Sequence, residues 1–120
     1  LYYEDQRDEA RRRSASLRRE RLPKFLGWFE RVLADNARGR QRSLVGSATS
    51  YADLSLFQII EGLRYAFPRT LRRLETSLPR IVELHDRIAA RSAIAAYLAS
   101  TRRIPFNNDG IFRRYPELDA

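Results

Sequence analysis

The stretch from Leu44 to Phe57, Leu-Val-Gly-Ser-Ala-Thr-Ser-Tyr-Ala-Asp-Leu-Ser-Leu-Phe, constrains the fold more than any other part of the chain. A glycine turn leads into a helix start that is specified twice. Ser50 stands as N-cap, its hydroxyl placed to accept from the backbone N–H of Asp53, and the Asp53 carboxylate reaches back to the N–H of Ser50. Asp is shorter than the Glu usual in such a box, but the reciprocal geometry is open to it. Behind the cap, Leu54, Leu56, Phe57, Ile59, Ile60, Leu63 and Phe67 cover nearly every side of the helix. A helix apolar almost all round belongs at the centre of a core. The acid at its head reads as a cap, not as a catalytic group.

The rest of the chain is organised around helices too. Asp8 to about Asp35 predicts one long helix, with Leu22, Phe25, Leu26, Phe29, Val32 and Leu33 on one apolar stripe. Pro23 inside this run either kinks it or opens a second segment. Trp28 and Phe29 beside Gly27 read as core packing, with the glycine allowing a close helix approach. Asn36 and Gly39 are a stop signal, followed by a polar loop over Ala37–Ser43 that carries Arg38, Arg40 and Arg42. Pro68 closes the buried helix, Arg69–Glu75 forms a short one, and Pro79 opens another with Ile81, Leu84 and Ile88 facing inward. Ala93–Ser100 is the last helix. No strand pattern of credible length is present, so the fold class is all-α, a bundle of five or six helices. From Arg102 to Ala120 the pattern changes: Asn107-Asn108-Asp109-Gly110 is a turn, flanked by Ile104, Phe106, Ile111, Phe112 and Tyr115. Those apolar groups predict an irregular strap folded back over the helices.

Taken together, these segments carry a family resemblance. The Leu-Val-Gly turn and the Ser50-x-x-Asp53 box look like the N-capping box of glutathione S-transferases, which begins the central helix of their all-helical C-terminal domain. Upstream, Leu22-Pro23-Lys24-Phe25-Leu26-Gly27-Trp28-Phe29-Glu30-Arg31-Val32-Leu33 resembles the helix preceding it. Downstream, Leu78-Pro79-Arg80-Ile81-Val82-Glu83-Leu84-His85-Asp86-Arg87-Ile88-Ala89-Ala90-Arg91 and Ile94-Ala95-Ala96-Tyr97-Leu98 resemble the next two, so the likeness runs from about Tyr3 to Ser100. It implies that residues 1–120 are the C-terminal-like domain of a sigma-like, bacterial-type transferase that conjugates glutathione to small electrophiles. Glutathione is then the co-substrate, no metal is involved, and the intact protein is a homodimer. The family keeps its catalytic Tyr, Ser or Cys in an N-terminal thioredoxin-like domain; no position here matches it, so this chain alone is expected to be inactive. In the family, the helix to which Tyr2 and Tyr3 correspond lines one wall of the electrophile pocket, and the C-terminal segment helps to cover it. The candidate pocket residues are therefore Tyr2, Tyr3 and Phe112, with Ser50 and Asp53 as the structural box. The alternative is a non-catalytic protein-interaction or complex-assembly module, the use that translation factors and aminoacyl-tRNA synthetases make of related helical domains.

Composition narrows the remaining choices. A length of 120 residues suits one domain. The chain opens Leu1-Tyr2-Tyr3 and contains no methionine, which reads as the tail of an apolar helix whose beginning is missing, hence a piece of a longer protein. Without cysteine there is no disulfide, thiolate nucleophile or cysteine zinc site, which fits a cytoplasmic protein. No apolar run approaches the roughly 18 residues of a membrane-spanning helix, so no membrane partner is expected. The net charge of +8 rests on 22 Arg and one Lys. Asp8–Arg12, Glu9–Arg13, Glu20–Lys24 and Glu83–Arg87 have the spacing of helical ion pairs. The dense patch of Arg11, Arg12, Arg13, Arg18, Arg19 and Arg21 reads as a solvated helix face. No glycine-rich phosphate loop or aromatic strand platform accompanies it, so nucleic acid is not expected as a partner. The single histidine, His85, cannot build a two-histidine metal site, and Glu83 and Asp86 read as pointing away from it. It is expected to be a surface or partly buried helix residue. Hydrolase chemistry is excluded, because a serine nucleophile would have no positioned base.

Overall fold

The computed structural model describes residues 4–120. After a 3-10 turn at Glu4–Gln6, six α-helices follow among the described residues: α1 (Arg7–Ser16), α2 (Leu22–Asp35), α3 (Tyr51–Ala66), α4 (Pro68–Glu75), α5 (Pro79–Ala89) and α6 (Ser92–Leu98). No strand occurs among the described residues. The fold is the expected all-α bundle with an irregular C-terminal strap.

Helices α1 and α2 form one rod, joined by a π turn at Leu17–Arg21 in which the N–H of Leu22 donates to the carbonyl of Leu17. Pro23 explains the wider turn. A proline cannot donate to the helix ladder, and its ring collides with the carbonyl four residues back, here that of Arg19. Loosening the preceding turn to a five-residue bond removes that collision and lets the rod continue.

Leu22, Leu26 and Leu33 form the buried edge of α2, with Phe29 and Val32 packed beside them. Trp28 departs from the expectation of core packing. It is 50% exposed, as is Phe25, and a Cβ at Gly27 would meet nothing within 4 Å. The apolar stripe of α2 is broader than the surface its neighbours cover.

Helix α5 packs against both α2 and α3. Its Ile81, Leu84 and Ile88 are fully buried, together with Leu33, Leu56, Ile60 and Leu71 from the surrounding helices. Each such side chain contributes about 1.5–3 kcal/mol through burial. Helix α3 is central but not covered all round: Leu54 and Ile59 are about two-fifths exposed and Tyr51 is 84% exposed.

Three helices begin on carboxylates. At α3 the reciprocal box of Ser50 and Asp53 is formed. Asp53 is fully buried and accepts from the N–H of Ser50 at 2.7 Å and from the N–H of Leu44 at 2.8 Å, so it also fixes the preceding loop. Helices α4 and α5 start with Pro68 and Pro79 behind Phe67 and Leu78, which carry no capping oxygen. Their free N–H groups find acceptors far away in sequence. At α4, Asp119 accepts from Arg69 N–H at 2.7 Å, Thr70 N–H at 3.1 Å and the Thr70 hydroxyl at 2.6 Å. At α5, Glu30 accepts from the N–H groups of Arg80 and Ile81, both at 3.0 Å.

The surface ion pairs differ from those the spacing suggests. Asp8 pairs with Arg11 and Glu9 with Arg12, three residues apart instead of four, while Glu83 reaches across to Arg42. The hydrogen bond from Arg12 holds the Glu9 carboxyl below its ordinary pKa, and Glu9 raises that of Arg12. Both groups lie on an open helix face, where such pairs contribute little to stability.

Candidate functional site

The strap is held at several points. Near its start, Arg103 Nη2 donates to Glu61 Oε2 at 2.8 Å. Phe106 then stacks on Tyr65 with centroids 5.3 Å apart and meets Phe112 edge-on at 6.0 Å. The Asn-Asn-Asp-Gly sequence makes the expected turn, with Asn107 Oδ1 accepting from the N–H groups of Asp109 and Gly110. At the far end, Asp119 caps α4, the Ser14 hydroxyl donates to the Leu118 carbonyl, and Arg18 donates to the Ala120 carbonyl. The strap is thereby stitched to α1, α3 and α4.

Phe112 lies over Gly62, in the middle of α3. A Cβ on that glycine would come within 2.3 Å of the Phe112 ring, so the missing side chain is what lets the aromatic settle onto the helix. Beside it is an apolar hollow of about 350 Å³ lined by Leu17, Leu63, Phe67, Phe112 and Tyr115. A second hollow of about 230 Å³ lies where α3, α6 and the strap meet, among Leu54, Phe57, Tyr97, Leu98, Ile104 and Phe106. Tyr2 and Tyr3, the other candidate pocket residues, lie outside the described residues. The structure therefore brings Phe112 to an apolar cleft without describing its proposed companions.

His85 proves more deeply placed than expected. It is 6% exposed and stacks on Phe57 with centroids 4.9 Å apart. Its Nε2 lies 2.8 Å from Glu61, and its Nδ1 lies 2.9 Å from Asp86, the neighbour whose place in the sequence suggests that it points away. Arg64 Nη1 sits 3.0 and 3.1 Å from the two ring nitrogens and its Nε donates to Glu75 at 2.7 Å. Glu61 thus joins His85 on α5 to Arg103 on the strap. Both imidazole nitrogens face charged partners, which leaves neither free to serve a nucleophile. Among the described residues, no three His, Cys, Asp or Glu side chains are grouped so that they could hold a metal ion. No described helix is long and apolar enough to cross a membrane.

Sequence reasoning missed Glu30, Glu61, Arg103 and Asp119. One signal for two of them was available. A helix opening on Phe-Pro or Leu-Pro has unsatisfied N–H groups and no local acceptor, so an acceptor must come from elsewhere.

An all-α domain with a capped central helix and a strap across it is a recognisable class. Residues 1–101 match the family model described as glutathione S-transferase, C-terminal domain. The chain is 33% identical over 93 residues to "Glutathione S-transferase P 2" of Bufo bufo, covering 76% of this chain and 42% of that relative. It is also 33% identical over 82 residues to "Glutathione S-transferase P 1" of Xenopus laevis, covering 68% of this chain and 36% of the relative. The chain belongs to the glutathione S-transferase family, as its C-terminal domain. It spans less than half the length of the curated relatives it matches.

Proposed function

We propose that this chain is the substrate-side and dimer-forming domain of an enzyme that conjugates glutathione to small electrophiles. The reading is supported above all by the apolar hollow beside Phe112, in a domain of this family. An apolar wall that excludes water and holds an electrophile is what this half supplies. Phe112 forms part of that wall, and the family resemblance assigns Tyr2 and Tyr3 to it as well, as residues that would contact or polarise a bound electrophile. Glutathione is the co-substrate of the intact enzyme, and the catalytic residue lies in an N-terminal thioredoxin-like domain. Residues 1–120 alone are then inactive.

The dimer reading draws on the half-exposed Phe25 and Trp28 of α2, an aromatic surface that a second copy would cover. The sigma-like, bacterial-type assignment rests on the motif resemblance alone, and a cytoplasmic location on the cysteine-free composition and the family.

Glutathione conjugation to chlorodinitrobenzene tests the proposal. The intact protein should turn over and residues 1–120 should not. In the intact protein, Phe112→Ala should raise KM for the electrophile several-fold and leave KM for glutathione unchanged. An intact protein that binds glutathione but conjugates no electrophile would favour the complex-assembly module instead.

A further inference from the structure

The loop between α2 and α3 gathers positive charge without matching acids. Arg38, Arg40 and Arg42 converge with Arg87 of α5 around a polar hollow of about 470 Å³, whose rim includes Ser47 and Thr49. Glu83 is the carboxylate paired here, with Arg42 Nε at 3.2 Å. Arg38 and Arg40 have no carboxylate partner among the described residues.

The arrangement is built, not merely crowded. Asn36 organises the loop: its side chain accepts from Gly39 N–H at 3.2 Å and donates to the carbonyls of Ser43 at 2.6 Å and Gly46 at 2.9 Å. A Cβ on Gly39 would come within 2.7 Å of Asn36 Nδ2 and of the Gly46 carbonyl, so the turn closes tightly there. Arg40 and Gln41 take left-handed φ values of 51° and 61°, which side chains rarely adopt and which surrounding structure must enforce. Arg87 is braced as well. Its guanidinium donates to Thr49 Oγ1 at 3.2 Å and to the Arg42 carbonyl, while its Nε is buried with no hydrogen-bond partner. A buried guanidinium N–H with no acceptor is a costly group to leave unmatched.

We propose that this hollow is a binding site for a phosphate dianion, free or carried on a small organic molecule. Guanidinium forks match the geometry of phosphate oxygens, and the braced loop backbone carries Arg38, Arg40 and Arg42 to the same hollow as Arg87. Serine and threonine hydroxyls on the rim add donors for the remaining oxygens. The volume exceeds what an inorganic ion fills and falls in the range of small-ligand pockets, so the organic ester is the tighter ligand. The site is independent of the apolar cleft beside Phe112, and the proposal does not rest on the transferase reading.

Proton–nitrogen correlation spectra of the intact protein, saturated with glutathione, give a site-specific test. Inorganic phosphate and glycerol phosphate are titrated separately against sodium chloride at equal ionic strength. Phosphate should shift the Arg87 Nε–H signal and the Ser47 and Thr49 amides saturably, and glycerol phosphate should do so at lower concentration. The double variant Arg38→Gln/Arg40→Asn removes two charges while keeping a residue that tolerates the left-handed backbone. It should weaken binding about tenfold or more without lowering the melting temperature. Arg13→Gln/Arg19→Gln, on the open face of α1 and its π turn, should leave it unchanged. Equal shifts with chloride, unchanged affinity in the loop variant, or loss of affinity in the α1 control would overturn the site. Inorganic phosphate binding as tightly as the ester would assign it to the free ion.

Discussion

The starts of α3 and α4 solve one problem in opposite ways. Both leave helix N–H groups that a carboxylate must satisfy, and both use an aspartate that is almost completely buried. At α3 the acceptor is Asp53, inside the helix it caps and bonded also to the loop at Leu44. At α4 it is Asp119, which arrives from the end of the strap, 49 residues beyond Thr70. A local cap forms as soon as its own turn forms, because donor and acceptor are already neighbours. The distant cap forms only after the strap has crossed the bundle, and its loss releases the strap as well as the helix end. The same two groups therefore act on different units, the whole core in one case and a peripheral element in the other.

The sharpest way to break this contrast is Asp53→Ala. It removes the cap of the central helix and leaves the buried N–H groups of Leu44 and Ser50 unmatched, so thermal or denaturant melting should show a loss of about 3 kcal/mol in one cooperative transition. Asp119→Ala should cost about 2 kcal/mol, but not all of it cooperatively. Hydrogen exchange should quicken at Arg69 and Thr70, and proteolysis should appear within residues 99–120, before the core melts. If the two variants melted alike, with no early opening of the strap, the distinction between local and distant caps would fail.

Glu30→Ala provides the intermediate case. Glu30 reaches α5 from α2, so its cap is distant in sequence yet lies between two core helices. A loss of about 1 kcal/mol is expected, confined to the single melting transition, with exchange quickened at Arg80 and Ile81. Early opening of the strap in this variant would show that distance along the chain, not position in the core, decides the response.

The contrast also explains what is legible in the sequence. The α3 box can be read because its members stand three residues apart, and the helices can be read because apolar spacing repeats along them. Asp119 and Glu30 leave no such pattern; a gap of about fifty residues carries no periodicity. The strap shows as an excess of apolar residues around a turn, but its anchors do not. Trp28 illustrates the opposite error. It stands between Gly27 and Phe29, which suggests close packing. At about 100° per residue, however, it lies more than 100° round α2 from Leu22, Leu26 and Leu33, and it is half exposed. The spacing around His85 speaks only for its own helix, whereas its closest acidic partner, Glu61, comes from α3. The placement of Phe112 depends on Gly62, whose lack of a side chain gives no signal until the ring is seen above it.

The π turn at Leu17–Arg21 has a consequence for the geometry of the whole rod. In an unbroken α-helix each residue advances the azimuth by about 100°, so the side chains of the two halves would share one phase. The wide turn absorbs a residue and resets that phase. Ser14 in the N-terminal half can then face the returning strap while Leu26 and Leu33 in the C-terminal half enter the core, on the helix that packs against α5. The turn works as a vernier: it lets a single continuous rod keep two different neighbours in register, and shortening it by one residue would trade one of those alignments for the other.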